Sequence, residues 1–168
     1  MFNVTGSGAQ NAATFQVGQV VFNSGDQQGG GITQTVTLPG GSIGFSANIA
    51  ALGNPNENAE GGVFSVLFDG VTEDTADIGV IGPNAVIRNT LSFTATESAG
   101  PHTLEILITR PFLNGVSLGE TPEQFITNIA ITGAAAVPEP SSLGLLAAGL
   151  LGLAGARHRR RAGSPDRN

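Results

Sequence analysis

Ser42-Ile43-Gly44-Phe45-Ser46-Ala47-Asn48-Ile49-Ala50 sets an apolar side chain at each odd position from 43 to 49, with small or polar residues between them. Side chains of an extended chain point alternately to opposite faces, so period two predicts a strand with one face in a core and the other toward solvent. The same alternation recurs outward from this stretch. Residues 14–22 separate Phe15, Val17 and Val21 from Thr14, Gln16 and Val20, and residues 32–38 set Ile32, Val36 and Leu38 against Thr33, Thr35 and Thr37. Residues 63–68 and 86–95 follow, the latter with Leu91 and Phe93 on one face. Residues 103–109 align Leu104, Ile106 and Ile108 opposite Glu105, and residues 125–132 align Phe125, Ile129 and Ile131.

Turn-forming residues punctuate these runs: Gly29-Gly30-Gly31, Pro39-Gly40-Gly41, Asn54-Pro55-Asn56, Asp69-Gly70, Gly82-Pro83-Asn84 and Gly100-Pro101. Seven or eight short strands, with no helical pattern before residue 134, predict an all-β fold: an antiparallel β-sandwich or jelly roll spanning residues 1–133, followed by one C-terminal apolar helix in residues 134–168. A length of 168 residues suits one such domain and an appendage. The segments VTLPGGSIGFSANI (36–49), LSFTATESAGPHTLEILI (91–108) and FITNIAIT (125–132) resemble the strands of galactose-binding-like jelly rolls.

Composition removes several chemistries. Lys, Cys, Trp and Tyr are absent, so disulfides, thiolate catalysis and zinc–thiolate sites are excluded. Residues 1–138 hold eleven acids against Arg88 and Arg110, a formal −9, whereas residues 139–168 are net +3. A body this acidic repels nucleic acid, and no nucleic-acid partner is expected.

The basic residues instead follow an apolar run. Val137-Pro138-Glu139-Pro140-Ser141 precedes seventeen uncharged residues, 140–156, and then Arg157-His158-Arg159-Arg160-Arg161. As a helix the uncharged stretch would cover roughly 25 Å of a hydrocarbon core about 30 Å thick, a marginal anchor. Leu143, Leu145, Leu146, Leu150, Leu151 and Leu153 would form it, while Arg157, Arg159, Arg160 and Arg161 would stay cytoplasmic and leave the body on the far side. A buried core helix would usually carry a polar face, and this stretch has none.

From end to end, VPEPSSLGLLAAGLLGLAGARHRRR resembles the PEP-CTERM tail of exported bacterial proteins. The resemblance implies that Val137, Pro138, Glu139 and Pro140 are the motif recognised and processed by a membrane-embedded exosortase. The protein would be held transiently at the inner membrane and then delivered to the outer surface or extracellular matrix. Such proteins begin with a secretory signal, yet Met1-Phe2-Asn3-Val4-Thr5-Gly6 has no basic or apolar region of that kind. An upstream start, a truncation or an unusual member would each account for this.

The body offers little for catalysis. His102 is its one histidine, read as an exposed residue at a turn or strand start, and no Gly-x-Ser-x-Gly elbow accompanies it. No catalytic residue, metal site or cofactor is assigned, and the body is expected not to be an enzyme. Two acid-rich loops, 54–60 and 69–77, could offer oxygens to calcium, with a solvated loop as the plain alternative. Sugar-binding faces usually stack aromatic rings on the ligand; here the nine phenylalanines fall mostly on the core side of the strands. The last strand carries Thr127-Asn128 where jelly-roll relatives often have Asp-Asn. The expected function is therefore that of an exported surface or matrix protein with a structural or interaction body. A carbohydrate- or calcium-binding module on the same export route is the second reading, with extracellular polysaccharide as a candidate partner.

Overall fold

The computed structural model describes residues 1–18, 29–111 and 121–133, which belong to the compact unit Met1–Ala135. Eight strands are present: β1 (Ala13–Phe15), β2 (Gly29–Leu52), β3 (Ala59–Glu60), β4 (Val63–Phe68), β5 (Val71–Asp77), β6 (Val80–Ile81), β7 (Val86–Thr109) and β8 (Glu123–Gly133). All pairings are antiparallel, in the order β1-β8-β2-β7-β4-β5, with β3 and β6 forming a separate small pair. The fold class read from the sequence, an all-β antiparallel sandwich of the jelly-roll kind, is the one observed. The expected helix lies outside the described residues, as do positions 20–22 of the first strand expected, of which only β1 is formed among those described.

Four expected strands prove to be two. Pro39-Gly40-Gly41 and Gly100-Pro101 do not end strands; β2 and β7 run through them as one ribbon whose pairs extend from Gly29–Thr109 to Leu52–Val86. The ribbon bends where those glycines lie. Along β2 the buried face occupies even positions up to Leu38 and odd positions from Ile43; along β7 it occupies odd positions through Phe93 and even positions from His102. Gly40 and Gly41, at φ 82 and 100, take the left-handed backbone that breaks the alternation, and a Cβ on Gly40 would meet the Ala99 nitrogen at 2.8 Å.

Each half of the bent ribbon then recruits different neighbours. β4 pairs with the 104–109 half of β7 and carries β5, while β8 pairs with the 43–52 half of β2 and carries β1. The two layers share one core: Phe64, Val66, Phe68, Leu104, Ile106 and Ile108 of the first join Ile43, Phe45, Ile49, Leu91, Phe93 and Ile126 of the second. Phe93 stacks on Phe45 at 5.3 Å and meets Phe68 at 5.8 Å. Each such burial removes apolar area from water and stabilises by roughly 2 kcal/mol. Across the seam, Ser92 N donates to Asp74 Oδ2 at 2.8 Å. A second cluster sits outside the sandwich, where the N-terminal segment lays Phe2 and Val4 over Ala50 and Phe125; the Phe2 and Phe125 rings stack at 3.9 Å.

Two further expectations are corrected. Phe125 does not share a face with Ile129 and Ile131: it packs outside the sandwich under Phe2, whereas Ile131 packs against the core and Ile129 on that side stays exposed, because Asn128 at φ 53 inserts a bulge where the register passes from Ser46–Ala130 to Asn48–Thr127. The acidic 69–77 segment is a tight turn at Asp69-Gly70 followed by a strand, β5, rather than a loop.

Candidate functional site

Strand alternation puts small polar residues on the outward face of the β8-β2-β7 layer. Gly44 and Ser46 of β2, Ser92 and Thr94 of β7, and Ala130 and Thr132 of β8 surround an open concavity of about 380 Å³, with Phe45 and Phe93 also contributing to its lining. No charged side chain lines it. Beside it, Asn128 Nδ2 donates to Asn48 Oδ1 at 3.1 Å and Asn48 Nδ2 to Thr90 Oγ1 at 3.2 Å, while Thr132 Oγ1 donates to Gly44 O at 3.2 Å. The result is a neutral surface of hydroxyls and amides on an otherwise acidic body. Such a surface can hydrogen-bond an uncharged polyhydroxylated chain without desolvating a charge. The sequence contained the signal, in the uncharged residues between the apolar ones, but not which strands would lie side by side.

His102 is buried, against the exposed position expected, with 7% of its surface accessible. The ribbon bend turns its ring inward, where it stacks on Phe68 at 5.1 Å. His102 Nδ1 lies 2.7 Å from Asp69 Oδ2, and His102 Nε2–H donates to Ser98 O at 2.9 Å. Asp69, at φ 50 in the β4–β5 turn, also accepts from Thr103 N at 2.7 Å. That backbone bond, then the bond from His102, hold the Asp69 carboxyl below its ordinary value. The Asp69 carboxylate, followed by the Ser98 carbonyl, raises His102 above its own. With a carbonyl on one nitrogen and a carboxylate on the other, the ring is oriented by two groups that only accept. The side-chain oxygen that meets the ring is a carboxylate, not a hydroxyl.

Glu60 was expected in a solvated loop; its side chain is sealed from solvent, together with Arg110 and Gln124. Arg110 donates from Nε to Glu60 O at 2.8 Å and from NH1 to Val17 O at 2.9 Å. Gln124 accepts from Val17 N at 3.2 Å, and Glu60 Oε1 accepts from Gly62 N at 2.9 Å. These groups tie the segment after β1 and strands β3 and β8 to the end of β7, which is a structural duty.

The tail residues Val137, Pro138, Glu139 and Pro140, the six leucines from Leu143 to Leu153, and Arg157, Arg159, Arg160 and Arg161 lie outside the described residues. Among the described residues no helix is long and apolar enough to cross a membrane. Comparison with known families decides what the tail is similar to. Residues 136–161 match the PEP-CTERM protein-sorting motif. This motif marks exosortase-dependent export, and the PEP-CTERM resemblance read from the tail sequence is present as a family match. Among curated proteins none matches the sequence. Among solved structures, the chain is similar to the EclA C-terminal domain, a sugar-binding protein (16% identity, covering 79% of this chain and 83% of that one, TM-score 0.47). It is also similar to TmCBM61 in complex with beta-1,4-galactotriose (12%, 76% and 74%, 0.41) and to carbohydrate-binding module CBM36 in complex with calcium and xylotriose (15%, 74% and 91%, 0.36). The sugars and the calcium are those proteins' own.

Proposed function

We propose that this chain is an exported bacterial surface or extracellular-matrix protein. Residues 140–156 hold it at the inner membrane until the Val137-Pro138-Glu139-Pro140 motif is processed, and its body then acts by contact rather than by catalysis. The observation that carries this reading is the sorting-motif match over residues 136–161. The body's features agree with a role in contact: its one histidine is held by two acceptors, and its open concavity is neutral. The test is the intact mass and cell-fraction location of the full chain in an exosortase-bearing host, compared with a host lacking that enzyme. Enzyme-dependent loss of the segment after Pro140 and recovery beyond the inner membrane support the proposal. A full-length cytoplasmic protein in both hosts overturns it.

The second reading, a carbohydrate-binding module on the same export route, is favoured by one observation, the uncharged hydroxyl and amide surface around Gly44, Ser46, Ser92, Thr94 and Thr132. Its partner would be a neutral extracellular polysaccharide. Retardation of the protein in gels containing neutral polysaccharide, and not in gels containing an anionic one, distinguishes this from a purely structural body.

A further inference from the structure

We propose that His102, Asp69 and Glu97 form a site for a divalent transition-metal ion at the ribbon bend. One ring nitrogen of His102 and one carboxylate oxygen from each acid lie within 4.8 Å of one another. The three residues come from two places that only the fold brings together, the β4–β5 turn and the bend of β7.

The arrangement of hydrogen bonds identifies the atom that would bind. Ser98 O can only accept, so the proton on His102 Nε2 is fixed by that carbonyl at 2.9 Å. A backbone carbonyl on the far ring nitrogen is the usual outer support of a metal-binding histidine, because it fixes the tautomer and aims the other nitrogen. That other nitrogen, Nδ1, faces Asp69 Oδ2 at 2.7 Å. Both atoms carry lone pairs, so whatever lies between them must be positive: a proton or a metal ion. Asp69 is held in place by Thr103 N on its other oxygen, so Oδ2 would exchange its bond to His102 for the ion. Glu97 is half-buried beside them, and its carboxylate has no hydrogen bond or ion pair among the described residues.

Donor chemistry sets the class of ion. One imidazole with two carboxylates suits zinc, nickel or copper, whereas calcium asks for six to eight oxygens and has no use for a buried imidazole nitrogen. Ligands about 2.1 Å from a zinc ion sit roughly 3.4 Å apart in a tetrahedron, so Nδ1 and Oδ2 would open from 2.7 Å as the ion replaces the proton between them, and the Glu97 side chain would rotate toward it. Solvent would complete the shell, since Asp69 is half exposed. An ion held there ties the β4–β5 turn to the ribbon bend and stabilises the folded body by mass action.

The experiment uses the full, untagged chain in mild detergent, with His158→Gln to remove the tail's histidine. Zinc, cobalt and calcium chlorides are added separately, with thermal unfolding, calorimetric titration and cobalt absorption as readouts. The expected result is one zinc or cobalt ion per chain, a melting temperature that rises with free zinc, and no comparable response to calcium. His102→Gln should abolish binding. Should that variant fail to fold, Glu97→Gln decides instead: it breaks no hydrogen bond and should weaken zinc binding by at least about tenfold. No zinc binding to the parent, binding unchanged by Glu97→Gln, or an equal response to calcium would each overturn the proposal.

Discussion

Arg110 Nε gives its hydrogen bond to the main-chain oxygen of Glu60, at 2.8 Å, and meets the Glu60 carboxylate only at 3.7 Å, although both side chains are sealed from solvent. The pair is therefore poorly compensated on the acid side: Glu60 Oε2 has no hydrogen-bond partner. Burial outweighs the Gly62 N–H and the Arg110 charge and pushes the Glu60 carboxyl up to about 7. Arg110 is drawn down by the same burial.

A pH dependence of stability follows, with a definite sign. The folded protein keeps a proton on Glu60 that the unfolded chain releases near its ordinary value of 4.5. As pH rises from there toward about 7, this group costs stability, by roughly 3 kcal/mol at most, and it adds no further change above that. Glu60→Gln, which keeps an acceptor for Gly62 N, should remove that slope. Urea unfolding of both proteins between about pH 5 and about pH 8 should show the variant gaining on the parent as pH rises. Parallel profiles would refute it.

At the ribbon bend, Gly40→Ala combines a left-handed φ of 82 with a Cβ 2.8 Å from the Ala99 nitrogen. The expected cost is on the order of 2–3 kcal/mol. Gly70→Ala, at φ 80 in open space, should cost only about 1 kcal/mol. Denaturant midpoints of the two variants test the ranking, and equal costs would mean the bend absorbs the methyl.

Phe68 touches both the Phe93 ring of the opposite layer and the His102 ring. Phe68→Ala should destabilise by about 3–5 kcal/mol, as large-to-small core changes do. A thermal or urea measurement giving less than half of that would mean the layers close over the cavity.

Ser46 and Thr132 face solvent in the neutral concavity. Ser46→Arg with Thr132→Arg should leave stability within about 1 kcal/mol. If the second functional reading holds, the double variant should also lose retardation by neutral polysaccharide; unchanged retardation would move recognition elsewhere.

Much of the fold was legible because each strand carries its own pattern: Ile43, Phe45, Ala47 and Ile49 are all buried as their spacing required. The strand ends were less legible. Pro39-Gly40-Gly41 has the composition of a chain reversal, yet here the same conformational freedom bends a strand without releasing its partner. Phe125 and Ile129 could not be set on opposite faces from spacing, since a single left-handed Asn128 reverses the faces beyond it. The His102 site was hidden for a different reason. Its partner Asp69 is distant in sequence, and an isolated histidine next to Gly100-Pro101 gives no local sign of the carboxylate it will meet. Glu60 misled because Asn54, Asn56, Glu57 and Asn58 before it are polar, while its burial comes with Arg110 and Gln124 from far along the chain.

The long ribbon also orders events in time. Its rung nearest in sequence is Leu52–Val86, and every later rung out to Gly29–Thr109 closes a longer loop, so zipping outward from Leu52–Val86 is the least costly route. β8 pairs with β2 across a still longer stretch of chain, and among the described residues it is the last strand made. A chain emerging N-terminus first must therefore deliver residue 133 before its sheet can be completed, at the slow pace usual for non-local β pairing. Completion of the body and arrival of the sorting tail thus fall at nearly the same moment, giving a slow folder its first complete sheet just as the chain reaches the segment that would detain it.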